Sequence, residues 1–272
     1  MRPIRIIIPL LLLSLTLGCG ENRFVNGPVV PSLLYSPGPV APGEPFTLGV
    51  HFAIAPEWHL YWNGKNDSGS PMTFTVLEAP EGATLGDAEW PAPVRYVSPG
   101  NIVDHVYFDE TMLRVPGMLP DPLPAGADTL VFRLALEWVV CHEVCEFGAD
   151  EVVVRVPVGE SRGVPREAAG AFRRLAGRYP VPLADTEARI SWDGGRMIVR
   201  DEDAASIVFY PAETSSPFAP PYQDERLEEP ALVVPFETEG TDIRAAGVLV
   251  WEGRNRPPAR IDSRPSSERD TQ

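Results

Sequence analysis

Basic residues are scarce in this sequence. Lys and Arg together number 23 against 38 Asp and Glu, which gives a formal net charge of −15 at pH 7. Nucleic-acid binding requires cationic side chains that neutralise phosphates, and binding to anionic lipid through a basic patch requires the same. The composition therefore argues against both, and we predict no nucleic-acid partner.

Several sequence signatures are also missing. There is no Gly-rich phosphate-binding loop, no Ser-His-Asp order typical of a hydrolase and no pair of carboxylates at helical spacing. Beyond the N-terminal segment no run approaches 18 apolar residues, so we expect no membrane-spanning helix in the mature chain. Hydrophobic residues still make up 44% of the sequence, enough to build a core.

The N-terminus has the features of an export signal. Residues 1–5 are basic, residues 6–17 are apolar but too short to span a bilayer, and residues 15–19 read LTLGC. This last segment resembles the lipobox of bacterial lipoproteins, which implies cleavage before Cys19 and a lipid on that residue. Residues 1–19 are therefore predicted to be the signal peptide and lipidated cysteine. An ordinary signal peptide with a Cys at its cleavage site is the alternative.

Cysteine is rare, with three residues in the whole chain. If Cys19 carries lipid, Cys141 and Cys145 remain as an even pair in an oxidising compartment, where such pairs normally bond. Residues four apart in an extended strand lie about 13 Å apart, whereas a disulfide needs Cα atoms within roughly 4.4–6.8 Å. A bond would therefore require a hairpin with its tip at residues 142–144. A disulfide that closes such a short loop is expected to stabilise the fold by about 2 kcal/mol, near the low end for disulfides. A bond that stabilises so little is better suited to thiol–disulfide exchange than to a structural role.

The rest of the chain reads as mainly β. Short runs that alternate or are rich in β-branched residues are separated by turn signals, as in an antiparallel sandwich. One helical period interrupts them, at residues 165–180. We predict an immunoglobulin-like β-sandwich, then a short helix, then a second, smaller β domain. The predicted divisions are a tether (20–33), the sandwich (34–159), a helical connector (160–180), the second β domain (181–262) and a disordered tail (263–272).

Several short motifs then point to a family. In chain order they are HLYW at 59–62, DSG at 67–69, EWPAP at 89–93, WVVCHEVC at 138–145 and GVLV at 247–250. Their order over residues 34–262 resembles the N-terminal periplasmic region of DsbD/ScsB-like thiol:disulfide interchange proteins. Two departures are Gly64-Lys-Asn66 before the DSG, where Pro-Gly is usual, and Glu146-Phe147 after the second cysteine, where Ile-Pro is usual.

The resemblance implies a redox-active pair. Cys141 and Cys145 match the exchanging cysteines, and Tyr61, Trp62 and Asp67 match the loop that shields them in relatives. It also implies that the protein transfers electrons from a membrane-embedded thiol reductase to oxidised periplasmic proteins. The protein would then be a component of a protein-disulfide reductase and would need no cofactor. The sequence lacks the transmembrane and thioredoxin-like domains of the family, so the reductase is expected to act in trans. We expect a periplasmic protein, lipid-anchored at the outer membrane.

Two other interpretations stay open at this point. The first is a non-catalytic, lipid-anchored binding or assembly protein whose hairpin disulfide is purely structural. The second is a copper or zinc site formed by Cys141, His142 and Cys145, helped by Met112 and Met118. We predict no metal, because His142 cannot easily converge with both sulfurs on a tight turn. Four other side chains are expected to be strand or core residues, or a cap over the disulfide: His51, His105, His59 and Trp58.

Overall fold

The computed structural model describes residues 27–36, 41–158, 165–186, 188–217, 231–237, 242–251 and 256–265. Within these ranges the protein is mainly β, with one α-helix after the first β region, which confirms the predicted fold class. The strands are β1 (Val29–Tyr35), β2 (Pro45–Ile54), β3 (His59–Tyr61), β4 (Thr73–Glu78), β5 (Thr84–Leu85), β6 (Val94–Ser98), β7 (Ile102–Tyr107), β8 (Glu110–Met118), β9 (Thr129–Cys141), β10 (Cys145–Pro157), β11 (Val181–Pro182), β12 (Arg189–Asp193), β13 (Arg196–Arg200), β14 (Ile207–Pro211), β15 (Ala231–Pro235), β16 (Ala245–Trp251) and β17 (Ala259–Ser263).

The first sheet of the sandwich has the order β1-β2-β8-β5. Strand β1 pairs with β2 along its whole length, from Val29 opposite Ile54 to Tyr35 opposite Leu48. Residues 29–33 therefore belong to the sandwich, which corrects the end of the predicted tether. The physical reason is that Val29, Leu33 and Tyr35 are buried against the core, so this strand contributes apolar surface despite Pro31.

The second sheet has the order β10-β9-β3-β7-β6, and β4 also pairs with β9. Strands β9 and β10 form a hairpin of 13 opposed pairs, from Thr129 and Pro157 at its base to Cys141 and Cys145 at its tip. The prediction that a hairpin joins the last two strands of the sandwich is confirmed. Both strands extend as far as the cysteines, and so are longer than the apolar runs that predict them.

Alternation along β9 builds the sandwich core. Leu130, Phe132, Leu134 and Leu136 are buried while the residues between them are only half-buried. Successive side chains of a strand point to opposite faces, so the even-numbered residues of β9 face inward. Across the sandwich they pack with a set of fully buried residues of β2: Leu48, Val50 and Phe52.

The α-helix, α1 (Arg166–Leu175), lies within the segment predicted to be helical, and a 3-10 turn continues it over Ala176–Arg178. Its buried residues, Ala168, Ala171 and Leu175, fall at helical spacing on one face. The helix packs on the first sheet, where Leu175 contacts a small cluster with Met112 and Tyr179.

The second β region consists of two small sheets with orders β11-β17-β16-β14 and β12-β13-β15. They enclose a core of their own. Three residues near the first region, Val208, Tyr210 and Val248, instead join the core cluster of the sandwich. The Lys65 amide donates to the Pro211 carbonyl at 2.9 Å, so backbone hydrogen bonding also links the two regions.

Two predictions concern parts of the chain outside the described residues. The signal peptide with Cys19 lies there, and so does most of the tail predicted over residues 263–272. Among the residues that are described, no helix is both long and apolar enough to cross a membrane.

Candidate functional site

Cys141 and Cys145 form a disulfide at the tip of the β9–β10 hairpin. The two residues lie directly opposite each other, with their Cα atoms 4.1 Å apart. Residues 142–144 make the reversal, and the His142 amide donates to the Val144 carbonyl at 3.2 Å. The chain thus reverses where the spacing of the cysteines required it.

The two sulfur-bearing residues differ sharply in exposure. Cys141 is 3% exposed, whereas Cys145 is exposed to solvent. Because Val140 points into the sandwich core, its neighbour Cys141 points to the outer face of the sheet. There it is covered by a separate apolar cluster, which we term the outer cluster: Tyr61, Val106, Tyr96, Phe108 and Val139. An attacking thiol from solvent can therefore reach Cys145 more easily than Cys141.

His59 packs against this outer cluster. It is 3% exposed and lies directly opposite Cys141 on the neighbouring strand β3. Its ring centroid is 4.8 Å from that of Tyr96 and 5.6 Å from that of Phe108. Its Nε2 atom is 3.4 Å from the Tyr61 hydroxyl. Burial lowers the pKa of His59, as does the nearby His142, although the charge of Asp104 acts in the opposite direction.

A loop following β3 covers Tyr61. Ser68 donates from its amide and its hydroxyl to the two carboxylate oxygens of the buried Asp104, at 2.8 and 2.6 Å. Gly69, with φ of +66°, lies on the Tyr61 ring so closely that a Cβ there would be 2.2 Å from the ring. Burial raises the pKa of Tyr61 despite its hydrogen bond with Ser68.

The three residues predicted for the shielding loop have different positions. Tyr61 packs with Cys141 in the outer cluster. Asp67 accepts from the Val103 amide at 2.7 Å, which ties the loop to β7. Trp62 is a core residue on the opposite face, where its ring lies 6.5 Å from that of Tyr210. Tyr61 is thus the member of this set that contacts Cys141, and Asp67 supports the loop above it.

Sequence reasoning missed most of the polar and aromatic surroundings of Cys141. It did not single out Tyr96, Val106, Phe108, Ser68 or Asp104, all of which contribute to the covered outer face. One signal was available. Residues 105–108 read HVYF without the polar alternation of a half-exposed strand, and such a run is typical of a strand buried on both faces.

The surface around Cys145 combines apolar and acidic side chains. Phe147 is 90% exposed and Val144 is 67% exposed. Phe147 lies two residues beyond Cys145, so both point to the outer face of β10. An open groove of about 440 Å³ runs beside them and is lined in part by Pro71, Val139 and Phe147. Exposed carboxylates surround this surface on the same hairpin: Glu137, Glu143, Glu146, Asp150 and Glu151.

The side chains weighed for a metal site do not converge. The described residues contain no group of three or more His, Cys, Asp or Glu placed to hold a metal ion. Met112 is fully buried beside α1, and Met118 is 44% exposed at the end of β8. His142 instead packs against Trp58, with ring centroids 5.8 Å apart.

The remaining two histidines are strand residues with partners. His51 Nε2 lies 3.0 Å from a carboxylate oxygen of Glu110, on the outside of the first sheet. His105 is buried, and its Nδ1 donates to the Lys65 carbonyl at 2.5 Å. Neither contacts the disulfide, in agreement with the expectation that they are satisfied strand residues.

Comparison with known proteins agrees with the resemblance read from the sequence over the first β region. Residues 34–157, which include both hairpin cysteines, match the family model described as "Thiol:disulfide interchange protein DsbD, N-terminal". No curated protein matches the sequence.

Among solved structures, the N-terminal periplasmic domain of ScsB from Proteus mirabilis is similar with a TM-score of 0.56. The identity is 12%, and the alignment covers 85% of this chain and 91% of that one. At this identity the likeness shows a shared fold. BcpA, the major pilin subunit of Bacillus cereus, aligns with a TM-score of 0.23 and 12% identity over 88% of this chain and 67% of its own, too low to indicate a common fold.

Proposed function

We propose, from the DsbD N-terminal match of residues 34–157 and the geometry of the hairpin, that this protein is a periplasmic thiol–disulfide interchange module. It passes electrons from a membrane-embedded thiol reductase, acting in trans, to oxidised envelope proteins. Cys141 and Cys145 alternate between disulfide and dithiol. The observation that carries the proposal is the unequal exposure of one disulfide, with Cys145 open to a partner and Cys141 covered.

The exposed sulfur is where reduction begins. A thiolate of the reductase attacks Sγ of Cys145, the bond to Cys141 breaks, and its electron pair leaves on the Cys141 sulfur. A second thiol of the reductase then attacks the reductase sulfur that is bonded to Cys145, and Cys145 leaves as a thiolate. Two electrons and two protons have entered the hairpin, and the reductase has become a disulfide.

Delivery to an oxidised protein reverses this order. The Cys145 thiolate attacks the disulfide of the acceptor and forms a mixed disulfide with it. Cys141 then attacks Sγ of Cys145, re-forms the hairpin bond and releases the acceptor as a dithiol. The covered position of Cys141 supports this division of roles, since a partner thiol cannot easily compete for it.

The electrostatics favour exchange with docked partners over free reactivity. Glu143 and Glu146 flank the cysteines, and negative charge disfavours formation of a thiolate. We therefore expect the dithiol to react slowly with disulfides in solution. A partner with an apolar centre and a basic rim would fit Phe147 and the carboxylates around it and would offset the acidic charge.

A structural disulfide in a binding or assembly protein is the alternative function. The two are separated by a redox titration of the purified protein, with thiols trapped by alkylation and counted by mass spectrometry. We expect a midpoint above about −300 mV, since disulfides that resist the glutathione pool lie below that value. A midpoint well below it would favour the structural role.

Trapping tests the assignment of roles. In cells, Cys141→Ser should accumulate mixed disulfides with envelope proteins through Cys145, because the second attack is blocked. Cys145→Ser, which leaves only the covered thiol, is the matched control and should accumulate far fewer. Absence of any mixed disulfide in Cys141→Ser would contradict the proposal.

The proposed lipid on Cys19 would hold this exchange at the membrane. Replacement of Cys19 by Ser removes the thiol that accepts the lipid. We expect the variant to move from the membrane fraction to the soluble periplasmic fraction, or to persist as an uncleaved precursor. A variant that remains in the membrane fraction at mature size would contradict the anchor.

A further inference from the structure

The second attack in the proposed cycle requires Cys141 to lose its proton inside an apolar cluster. Cys141 is 3% exposed and packs against Tyr61 and Val106. Removal from water disfavours the charged thiolate, so a thiol in this position is a poor nucleophile unless a nearby base takes its proton. The chemistry of the hairpin therefore calls for a proton acceptor on the covered side of the disulfide.

His59 occupies the position for that base. It is the residue directly opposite Cys141 on β3, and directly opposed residues on antiparallel strands have Cβ atoms about 4.5–5.5 Å apart on the same face. It is itself 3% exposed, so water does not separate the ring from the cluster. It also contacts Tyr96 and Phe108, two of the rings that cover Cys141.

The other titratable groups that face His59 are poorer bases. Asp104, on β7, already accepts two hydrogen bonds from Ser68. Tyr61 and Tyr96 are phenols, whose hydroxyl groups donate or accept hydrogen bonds. His142, on the hairpin, is exposed and packs against Trp58 on the solvent side. Among these groups, a neutral imidazole at His59 is the best acceptor.

We propose that His59 accepts the proton of the Cys141 thiol when Cys141 resolves the mixed disulfide at Cys145; the proposal rests on the exchange function above. The Cys141 sulfur forms its bond to Sγ of Cys145, and the bond from Cys145 to the partner sulfur breaks with its electron pair. The partner leaves as a thiolate and the proton remains on the imidazole. In the opposite direction, the imidazolium returns the proton to the Cys141 thiolate.

Three surrounding features suit His59 to this role. Burial lowers its pKa, which keeps the ring neutral and its lone pair available at neutral pH. The charge of Asp104 favours the imidazolium once the proton has arrived. The Tyr61 hydroxyl, 3.4 Å from Nε2, helps to hold the ring in the cluster.

The test is a single-turnover reaction of the full reduced protein with 5,5′-dithiobis(2-nitrobenzoate). The first release of thionitrobenzoate reports the attack by Cys145, and the second release reports the resolution by Cys141. For His59→Gln we expect the second phase at pH 7 to slow about tenfold or more, within the range for a lost general base. The first phase should change less than about twofold. His51→Gln, at a histidine of the first sheet that does not contact the disulfide, is the matched control and should leave both phases unchanged.

The pH profile separates proton transfer from a merely structural role. With His59 present, the second phase should fall on the acid side with the ionisation of one imidazole, whose pKa is measured by NMR in the reduced protein. With Gln, it should rise steadily with pH up to the ionisation of the thiol. A second phase unchanged in rate and profile would overturn the inference. If the variant does not fold, a wild-type profile that lacks the imidazole ionisation overturns it equally.

The same experiment distinguishes this inference from the exchange function. If thionitrobenzoate is released in both phases but His59→Gln has no effect, the inference about His59 alone fails. If the hairpin cannot be reduced by dithiothreitol at all, the exchange function itself fails.

Discussion

Gly69 shows how closely the loop after β3 fits over the outer cluster. We expect Gly69→Ala to destabilise the protein more than Gly126→Ala. Both glycines have positive φ, +66° and +73°, so both variants incur the backbone cost of about 1–2 kcal/mol. Only the Gly69 variant also places a Cβ against the Tyr61 ring, whereas nothing lies within 4 Å of a Cβ at Gly126. Overpacking of this kind costs about 1–3 kcal/mol more.

Urea unfolding of the two variants measures the difference. Equal losses in the free energy of unfolding would show that the loop moves away from Tyr61 without cost. In that case it could not be the cover that keeps Cys141 buried.

At the scale of residues, the sequence identified the disulfide but not its environment. Cys141 and Cys145 could be found by counting, because exported cysteines pair and only this pair was left. His59 and Asp104 could not be assigned, because their importance depends on a strand pairing between residues 59 and 141, far apart in the chain. Tyr61 and Trp62 are adjacent aromatic residues, yet Trp62 packs in the sandwich core and Tyr61 packs on the outer face of the sheet.

The β9–β10 hairpin presents the exposed cysteine together with an exposed aromatic ring. In the Cys141→Ser background, we expect Phe147→Ser to reduce the yield of mixed disulfides with envelope proteins several-fold. The reason is that apolar contact beside the sulfur is lost when the 90% exposed ring is removed. The thermal stability should hardly change, because an exposed side chain contributes little to folding.

Val153→Ser is the matched control for this prediction. Val153 is exposed on the same strand and the same face, six residues further from the tip, or about 20 Å along an extended chain. It should leave the yield of mixed disulfides unchanged. Equal effects of the two variants would show that the ring has no special part in docking.

At the scale of elements, the predictions depended on periodicity. Strands such as β2 and β13, and helix α1, lie where alternating or helical patterns placed them. Residues 29–33 of β1 fall in the predicted tether because Pro31 and the polar segment before them obscure a seven-residue strand. β8 lies in the middle of the first sheet, yet it carries Pro116 and Gly117, residue types that are more common in turns than in strand interiors.

His105 lies where the two β regions meet, with its ring centroid 5.3 Å from that of Tyr210. Burial lowers its pKa from 6.5 to about 4, the effect of burial outweighing a hydrogen bond with the Lys65 carbonyl. The unfolded chain therefore binds a proton below about pH 6.5 that the folded protein does not. The free energy of unfolding must fall as the pH falls through this window, until His105 is protonated in the folded state as well.

From pH 7 to pH 5 this histidine alone should account for a loss of about 2 kcal/mol. We expect His105→Gln, which keeps a donor for the Lys65 carbonyl, to reduce the difference in urea stability between the two pH values by that amount. His142→Gln, at the exposed histidine of the hairpin tip, is the control and should leave this difference unchanged. If both variants retain the full difference, the acid sensitivity arises elsewhere.

At the scale of the molecule, no pattern in the sequence indicates that the two β regions touch. Val208, Tyr210 and Val248 read as ordinary strand residues, and their burial against the sandwich depends on packing between elements remote in the chain. A local pattern can predict which face of a strand is apolar, but it cannot say which neighbour covers that face.

The loop that begins at Gly64 connects the second β region to the cover over Cys141 within a few residues. At one end, Gly64 and Lys65 bond to the second β region at Ala212 and Pro211. At the other end, Ser68 and Gly69 lie over the phenol that covers the inner sulfur. A shortened protein ending at residue 158 would keep both cysteines. It would lose the hydrogen bonds from Gly64 and Lys65 to the second β region, which hold one end of the loop that covers Tyr61. We therefore expect the redox behaviour of such a fragment to differ from that of the whole protein, because the loop that keeps Cys141 covered would be held at one end only.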